Sequence, residues 1–222
     1  MKKILLGTLL ISSMAMGAEG TNLYLKAGAD LWQKFDIIKP EGSVAANKKG
    51  ADDFGYEITA ELTREVYPNL EIGAGISYQD HGSPERVTLD NDARLNVPDL
   101  KSIPLYVTAK YNIPIESAFK PYIKADLGYS FNKIDSKFKV EDLREDDSWE
   151  FSTRIKDGTY FGIGAGVEYN NFTTDIMYKI NKSQMKVDTP NGSFKENLDY
   201  SRVTLSAGYK SVSYTHLTLP TT

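Results

Sequence analysis

The stretch GTYFGIGAGVEYNNFTTDIMYKI, residues 158–180, alternates between apolar residues and small or polar residues with a period of two. The apolar positions of its first half are Phe161, Ile163, Ala165, Val167 and Tyr169, and the alternation resumes at Phe172. A period of two over this length is typical of β-strands, and an Asn-Asn pair between the halves favours a tight turn. The stretch therefore predicts a β-hairpin whose arms are each long enough to cross a bilayer at a tilt.

The same alternation recurs along the chain and predicts eight strands. Besides the hairpin, the expected strands are about 22–35, 54–66, 70–79, 103–113, 121–132 and an eighth that ends near 210. Their connectors are alternately long and short, as in bacterial barrels with short periplasmic turns and long extracellular loops. The sequence therefore predicts an all-β fold, an eight-stranded antiparallel up-and-down transmembrane β-barrel with both ends periplasmic.

The first residues predict export. Lys2-Lys3 precede an apolar run at 4–11 and small residues around Ala15, Gly17 and Ala18, which is the pattern of a Sec-type signal peptide over residues 1–18. Residues 19–210 then form the barrel domain, and the expected location is the bacterial outer membrane. The net charge of −4 argues against nucleic acid as a partner. No cofactor is predicted.

Aromatic residues fall at two heights of the apolar face, as expected for the girdles that mark the two membrane interfaces. The outer rim comprises Phe35, Phe54, Tyr56, Tyr78, Tyr129, Phe131, Phe161 and Tyr178, and the inner rim comprises Tyr111, Tyr169, Phe172 and Tyr209.

A soluble lipocalin-type barrel is the competing fold, because it also alternates but turns its apolar face inward. Three features favour the membrane: the paired aromatic rims, the strict long-short order of the connectors, and a shared face for glycines and charges. Glycines suit a crowded narrow lumen and have little use on the outside of a soluble barrel.

The face opposite the lipid-facing one carries charges of both signs. They are Lys26, Asp30, Glu57, Glu61, Glu71, Lys110, Lys124, Asp126, Glu168, Asp175, Lys179, Arg202 and Lys210. The lumen of an eight-stranded barrel is just wide enough for side chains to fill, so these charges should pair in a plugged polar core. The alternative is a narrow or gated pore, with Glu57, Glu61 and Lys124 as gating partners.

The sequence contains little that supports a catalytic site or a metal site. A lipid-modifying enzyme would need a nucleophile with a positioned base, and His81, near Ser83, is the only histidine before the last residues. A lone loop histidine is expected to be solvated, and no catalytic residue is predicted. The acidic run at Glu145, Asp146 and Asp147 is expected to be a solvated loop rather than a site for a divalent cation.

The outer loops are the best candidates for function. Charged loops with aromatic residues suit adhesion, contact with host or neighbouring cells, or masking of the surface. The expected constant neighbours are outer-membrane lipid and lipopolysaccharide, with the barrel-assembly machinery as a partner during biogenesis. The protein is expected to be a monomer.

The last residues break the pattern. Strand eight should end on an outward aromatic residue where Ser211 stands, and the chain instead reads SVSYTHLTLPTT. This segment, 211–222, resembles translated sequencing-adapter sequence and is predicted to be non-native, which leaves His216 without a role.

Residues 19–210 resemble the small OmpA-type outer-membrane β-barrel family. The likeness is strongest at 103–113 (IPLYVTAKYNI) and 120–132 (KPYIKADLGYSFN), which are similar to that family's central strands. The resemblance implies a mainly structural barrel and no catalytic residue. The peptidoglycan-binding domain found in many OmpA-like proteins is not expected after strand eight.

Overall fold

The structure, a computed structural model, describes residues 20–37, 55–82, 87–89, 93–96, 100–134, 138–142, 148–151, 153–189 and 192–213. Eight long antiparallel strands within these ranges form one closed sheet, which confirms the predicted barrel. The strands are β1 Thr21–Ile37, β2 Tyr56–Tyr67, β3 Leu70–Asp80, β4 Leu100–Asn112, β5 Phe119–Ile134, β6 Gly158–Tyr169, β7 Phe172–Thr189 and β8 Gly192–Ser213. None of the described residues belongs to a helix long and apolar enough to span a membrane.

The barrel closes where β1 pairs with β8. This ladder runs from Thr21 opposite Ser213 to Ile37 opposite Leu198, while each other strand pairs with its neighbours in sequence. A closed ladder pairs the backbone amide and carbonyl groups within the sheet, as an apolar bilayer core requires.

Two tight turns on the periplasmic side have asparagine in the left-handed conformation. Asn69 has a φ of 68° between β2 and β3, and Asn170 has a φ of 53° between β6 and β7. Asparagine adopts this conformation at low cost, which explains why these short connectors turn where the sequence predicts.

A β-bulge in β1 overturns one predicted orientation. The register with β8 shifts between Asp30 and Trp32, so Leu31 has no counterpart in the ladder. The alternation of strand one places Trp32 on the same inward face as Lys26 and Asp30, and this prediction is wrong: its side chain is 47% exposed on the outside. A bulge inserts one extra residue and reverses the alternation that follows it.

The polar composition of residues 181–199 predicts a connector between the last two strands, and this is wrong. Residues 181–189 and 192–199 extend β7 and β8 as a paired hairpin up to Thr189 opposite Gly192. The hairpin extends well beyond the part of β7 that the alternation predicts to cross the membrane. Outside the membrane an antiparallel pair needs no apolar outer face, so its sequence is polar.

A second, four-stranded sheet is formed by the outer connectors. Its short strands are, in spatial order, Val87–Leu89, Ala93–Asn96, Phe138–Asp142 and Ser148–Phe151. The alternation of Phe138, Val140, Trp149 and Phe151 on either side of the acidic run predicts a hairpin, and the last two strands pair in this way. The charged stretch 80–101 predicts only a loop, but it supplies the other two strands. A further short strand, Thr153–Lys156, pairs with β7.

Proline in a sheet is expected near a strand end, as Pro104 would be in a strand over 103–113, but β4 begins four residues before it, at Leu100. The ladder between β3 and β4 is interrupted opposite Pro104, between the pairs Ile76–Leu105 and Gln79–Ser102. The interruption follows from the missing backbone N–H of proline.

β8 continues to Ser213, three residues past the predicted domain boundary at 210. The predicted signal peptide, most of the predicted non-native tail and the acidic residues Glu145 to Asp147 lie outside the described residues. Those expectations stay predictions.

Glycine in the sheet makes room for lumen side chains. A Cβ added to Gly128 would lie 2.5 Å from Tyr106 Cβ and against the Leu105 carbonyl, whereas one on Gly162 would have its nearest neighbour, Asp126 Oδ2, at 3.3 Å.

Gly128→Ala is therefore expected to destabilise the barrel by about 1–3 kcal/mol. The measurement is the temperature at which the heat-modifiable band of the detergent-folded protein disappears. Gly162→Ala is the matched control, and an equal loss in both variants would contradict the packing argument.

Candidate functional site

The charged side chains of the lumen form the candidate site. Those predicted to face inward lie inside the barrel, nearly all of them buried, and their ion pairs group them into three clusters along the barrel. We call them the outer, central and inner clusters, from the extracellular to the periplasmic end.

The outer cluster consists of Asp30, Glu57, Lys179 and Arg202. Arg202 Nη1 lies 3.1 Å from Asp30 Oδ1, and Arg202 Nη2 binds Glu57. Lys179 also binds Glu57. The Arg202 side chain is fully buried, and the two carboxylates hold its two terminal nitrogens, so its charge is balanced without water.

The central cluster consists of Lys26, Glu61, Lys124, Asp126 and Asp175. Glu61 is shared: Lys124 binds one carboxylate oxygen, and Lys26 Nζ lies 3.3 Å from the other. Lys26 Nζ also donates a 2.7 Å hydrogen bond to Asp175 Oδ2. The cluster thus connects strands on opposite sides of the lumen.

The inner cluster consists of Glu71, Lys110, Glu168 and Lys210. Lys110 Nζ lies 2.6 Å from Glu168 Oε2 and 3.5 Å from Glu71 Oε1. Lys210 Nζ donates to Glu168 Oε1 at 2.9 Å. A cavity of about 1170 Å³ at the periplasmic mouth reaches Glu71, Glu168 and Lys210, so this cluster closes the inner end of the lumen.

Buried tyrosines complete the clusters, and sequence reasoning did not include them among the site residues. Tyr106 OH donates to Glu61 at 2.7 Å, Tyr122 OH to Asp175 at 2.8 Å and Tyr24 OH to Glu71 at 3.0 Å. The alternation of each strand already places these tyrosines on the inward face. Without knowledge of the partner of its hydroxyl, an inward tyrosine is expected only to fill space. Each tyrosine hydroxyl gives its carboxylate one more hydrogen-bond donor, in addition to those of the two lysine ammonium groups in the cluster.

The three predicted gating residues fall in two clusters. Glu61 and Lys124 pair in the central cluster, while Glu57 belongs to the outer cluster and binds Lys179 and Arg202. The structure therefore does not bring Glu57 into an ion pair with Lys124.

His81 was expected to be solvated, and this is wrong, because its side chain is 0% exposed at the outer end of the lumen. Its Nε2 lies 2.9 Å from Ser102 Oγ, and its ring packs 4.1 Å from that of Tyr200 between centroids. Burial, with Arg202 nearby, holds the pKa of His81 well below its ordinary value. The ring is therefore kept neutral in the folded protein.

The contact between His81 and Ser102 lacks the third group that orients the base in a nucleophile-base pair. Ser102 Oγ donates to Asn132 Oδ1 at 2.7 Å, and His81 Nε2 lies 2.9 Å from Ser102 Oγ and 3.3 Å from Asn181 Nδ2. His81 Nδ1 has no hydrogen-bond partner among the described residues that would orient it as a base. Within the same part of the chain, no group of three or more His, Asp or Glu side chains is placed to hold a metal ion.

The predicted aromatic rims lie on the outside of the barrel. Tyr56 and Tyr78 contact each other at the outer rim with ring centroids 6.4 Å apart, and Phe172 and Tyr209 do so at the inner rim at 5.6 Å. The other rim residues with described side chains also face outward; they are Tyr111, Tyr129, Phe131, Phe161, Tyr169 and Tyr178. Phe119 stacks on Tyr169 and extends the inner rim beyond the prediction. Phe54 and the side chain of Phe35 lie outside the described residues.

Arg202→Met is expected to destabilise the barrel by roughly 3–5 kcal/mol, because it leaves Asp30 and one oxygen of Glu57 without their cation in a buried site. The urea concentration at which the folded band is lost measures the effect. Lys120→Met, at an exposed position of β5, is the control and should leave that concentration unchanged. A loss no larger than the control's would contradict the burial of this charge.

His81 is expected to make the outer end of the barrel sensitive to acid. Since its folded-state pKa lies below the unfolded value of about 6.5, stability is full above that pH and falls as the pH decreases below it. His81→Asn should flatten the decline in unfolding midpoint between about pH 7.5 and pH 5.5. An equally steep decline in the variant would assign the acid sensitivity to other groups.

Comparison with known proteins agrees with this architecture. The sequence profile described as outer membrane protein beta-barrel domain matches residues 4–210. The uncharacterized protein PM1543 of Pasteurella multocida is 31% identical over 206 residues, which cover 83% of this chain and 87% of that protein. The outer membrane protein OprG of Pseudomonas aeruginosa has a similar fold, with a TM-score of 0.56 at 16% identity over 88% of this chain and 97% of OprG. This chain therefore belongs to the outer membrane protein β-barrel family.

Proposed function

We propose that this protein is a closed barrel of the bacterial outer membrane whose work is done by its outer loops, through contact with molecules outside the cell. The family supports the location and the barrel, and this chain's own residues support the rest of the proposal.

The observation that carries the proposal is the filling of the lumen. Three clusters of paired charges cross the interior at successive heights, with tyrosine hydroxyls between them. An ion that passed through would have to separate these buried pairs, and breaking a buried ion pair is costly. A mainly structural barrel with an exposed binding surface fits this interior better than a steady pore.

The second sheet supplies a surface on the extracellular side. Its register aligns Val87, Leu95, Val140 and Trp149 in one row across four strands. The next row carries Thr88, Arg94, Glu141 and Ser148. The register therefore aligns rows of apolar residue types with rows of polar residue types. A sheet with both kinds of row, outside the membrane, suits contact with another molecule.

A cell-adhesion assay tests the proposed role of the outer loops. Cells that display the protein are expected to bind host cells or neighbouring bacteria more than cells with an empty vector. Replacing residues 87–96 and 138–151 by Gly-Ser linkers of equal length should remove the gain and leave the heat-modifiable barrel band in place. Undiminished adhesion by a correctly folded variant would move the contact away from this sheet.

A narrow gated pore is the second candidate, favoured by the sharing of Glu61. Because Lys124 and Lys26 both bind Glu61, one pair can open while the other remains, which is the arrangement that a switchable gate needs. The large cavity at the periplasmic mouth would then be its inner vestibule.

Single-channel recording in a planar bilayer separates the two candidates. The closed barrel is expected to give no steady current at moderate voltage. Steady current that changes in Lys124→Met or Glu57→Gln, but not in Lys133→Met, an exposed position of β5 away from the periplasmic cavity, would replace the closed barrel by the gated pore.

A further inference from the structure

The central cluster has one more carboxylate than its ammonium groups can balance. Its carboxylates are Glu61, Asp126 and Asp175, and its ammonium groups are those of Lys26 and Lys124. The outer and inner clusters each pair two acidic with two basic side chains. The unbalanced negative charge of the described lumen therefore lies at mid-height.

Asp126 is the carboxylate of the central cluster that has no lysine of its own. It is 2% exposed, and its one ionic contact is a 3.4 Å approach of Lys124 Nζ to Oδ2. That ammonium group already binds Glu61. Neither carboxylate oxygen of Asp126 has a hydrogen-bond partner among the described residues, in contrast to Asp175, which accepts from Lys26 and Tyr122.

A further buried oxygen lies on the neighbouring strand. Thr108 is the register partner of Asp126 in β4, and its buried Oγ1, which has no other partner among the described residues, is close enough to interact with the Asp126 carboxylate. On the other side, the register partner is Gly162, which places no side chain next to the carboxylate. The Thr108 hydroxyl is uncharged and does not neutralise the carboxylate, and oxygen atoms of both types in a region of net negative charge are ligands for a hard cation. If the carboxyl group carried a proton, it could instead donate that proton to Thr108 Oγ1.

The charged and titratable groups with an electrostatic effect on Asp126 come from all the elements packed around it. They are Lys26 on β1, Glu61 on β2, Tyr106 on β4, Lys124 on β5, Tyr160 on β6 and Lys179 on β7. The lysines among them already have partners in Glu57, Glu61 and Asp175. None of them is left over to neutralise Asp126.

We propose that Asp126, together with Thr108, is a single-cation site at mid-height of the lumen. It takes up one positive charge, supplied either by a small monovalent cation from the medium or by a proton. The site is independent of the loops, and it makes the central cluster responsive to the ions around the protein.

The test compares the detergent-folded wild-type protein with Asp126→Asn and with Asp175→Asn. Unfolding midpoints are measured at neutral pH in sodium or potassium chloride and in choline chloride of equal ionic strength, since choline is too large for the site. The infrared spectrum is searched for the carbonyl stretch of a protonated carboxylic acid. Asp126→Asn removes the surplus charge and is expected to keep or raise the midpoint. Asp175→Asn breaks a good pair and should lower the midpoint by roughly 10 °C.

Two results support the site and distinguish its occupant. A higher wild-type midpoint in sodium or potassium than in choline, with no such difference in Asp126→Asn, identifies a bound metal cation. A protonated-carboxyl band that disappears in Asp126→Asn identifies a bound proton. If the wild-type protein shows neither signal, the proposal is overturned, whatever the stability of the variants.

Discussion

The charged side chains inside this barrel can be buried at acceptable cost only as ion pairs, and the packing of the lumen follows from that constraint. Eight strands enclose a space that side chains fill, so a lysine from one wall meets a carboxylate from the opposite wall. Lys26 and Asp175 illustrate this, as do Arg202 and Asp30 on the two strands that close the barrel. Tyrosine hydroxyls supply donors where the ammonium groups are used up, and glycines such as Gly128 give the tyrosine rings their space.

The strands and the inward set of residues could be predicted because alternation is a local signal. A residue's parity within its strand assigns Glu57, Lys124 or Asp126 to the lumen without knowledge of any other strand. The partners could not be predicted in the same way. Arg202 and Asp30 are 172 positions apart, and their contact depends on the register with which β8 meets β1. For the same reason, the sequence did not reveal that Glu57 and Lys124 belong to different clusters.

The wrong predictions each have a local physical cause. The bulge before Trp32 adds one residue to β1, and nothing in the residue types there signals the change of parity. His81 follows β3 directly, next to Gly82 in a stretch whose sequence predicts the start of a loop, but its ring lies in the lumen against Ser102 and Tyr200. Residues 181–189 and 192–199 form a hairpin with a polar sequence, because only a strand in contact with lipid needs an apolar outer face.

The pairing of Thr21 with Ser213 also has a consequence for the order of events during assembly. The first strand of the barrel cannot find its closing neighbour until the last one has been made and exported. Until then every partly paired sheet has two open edges, and open edges invite pairing with other chains. Contacts between such distant parts of a chain also form slowly. The time before closure is therefore the period in which this protein is most vulnerable to aggregation, and the final strand determines when that period ends.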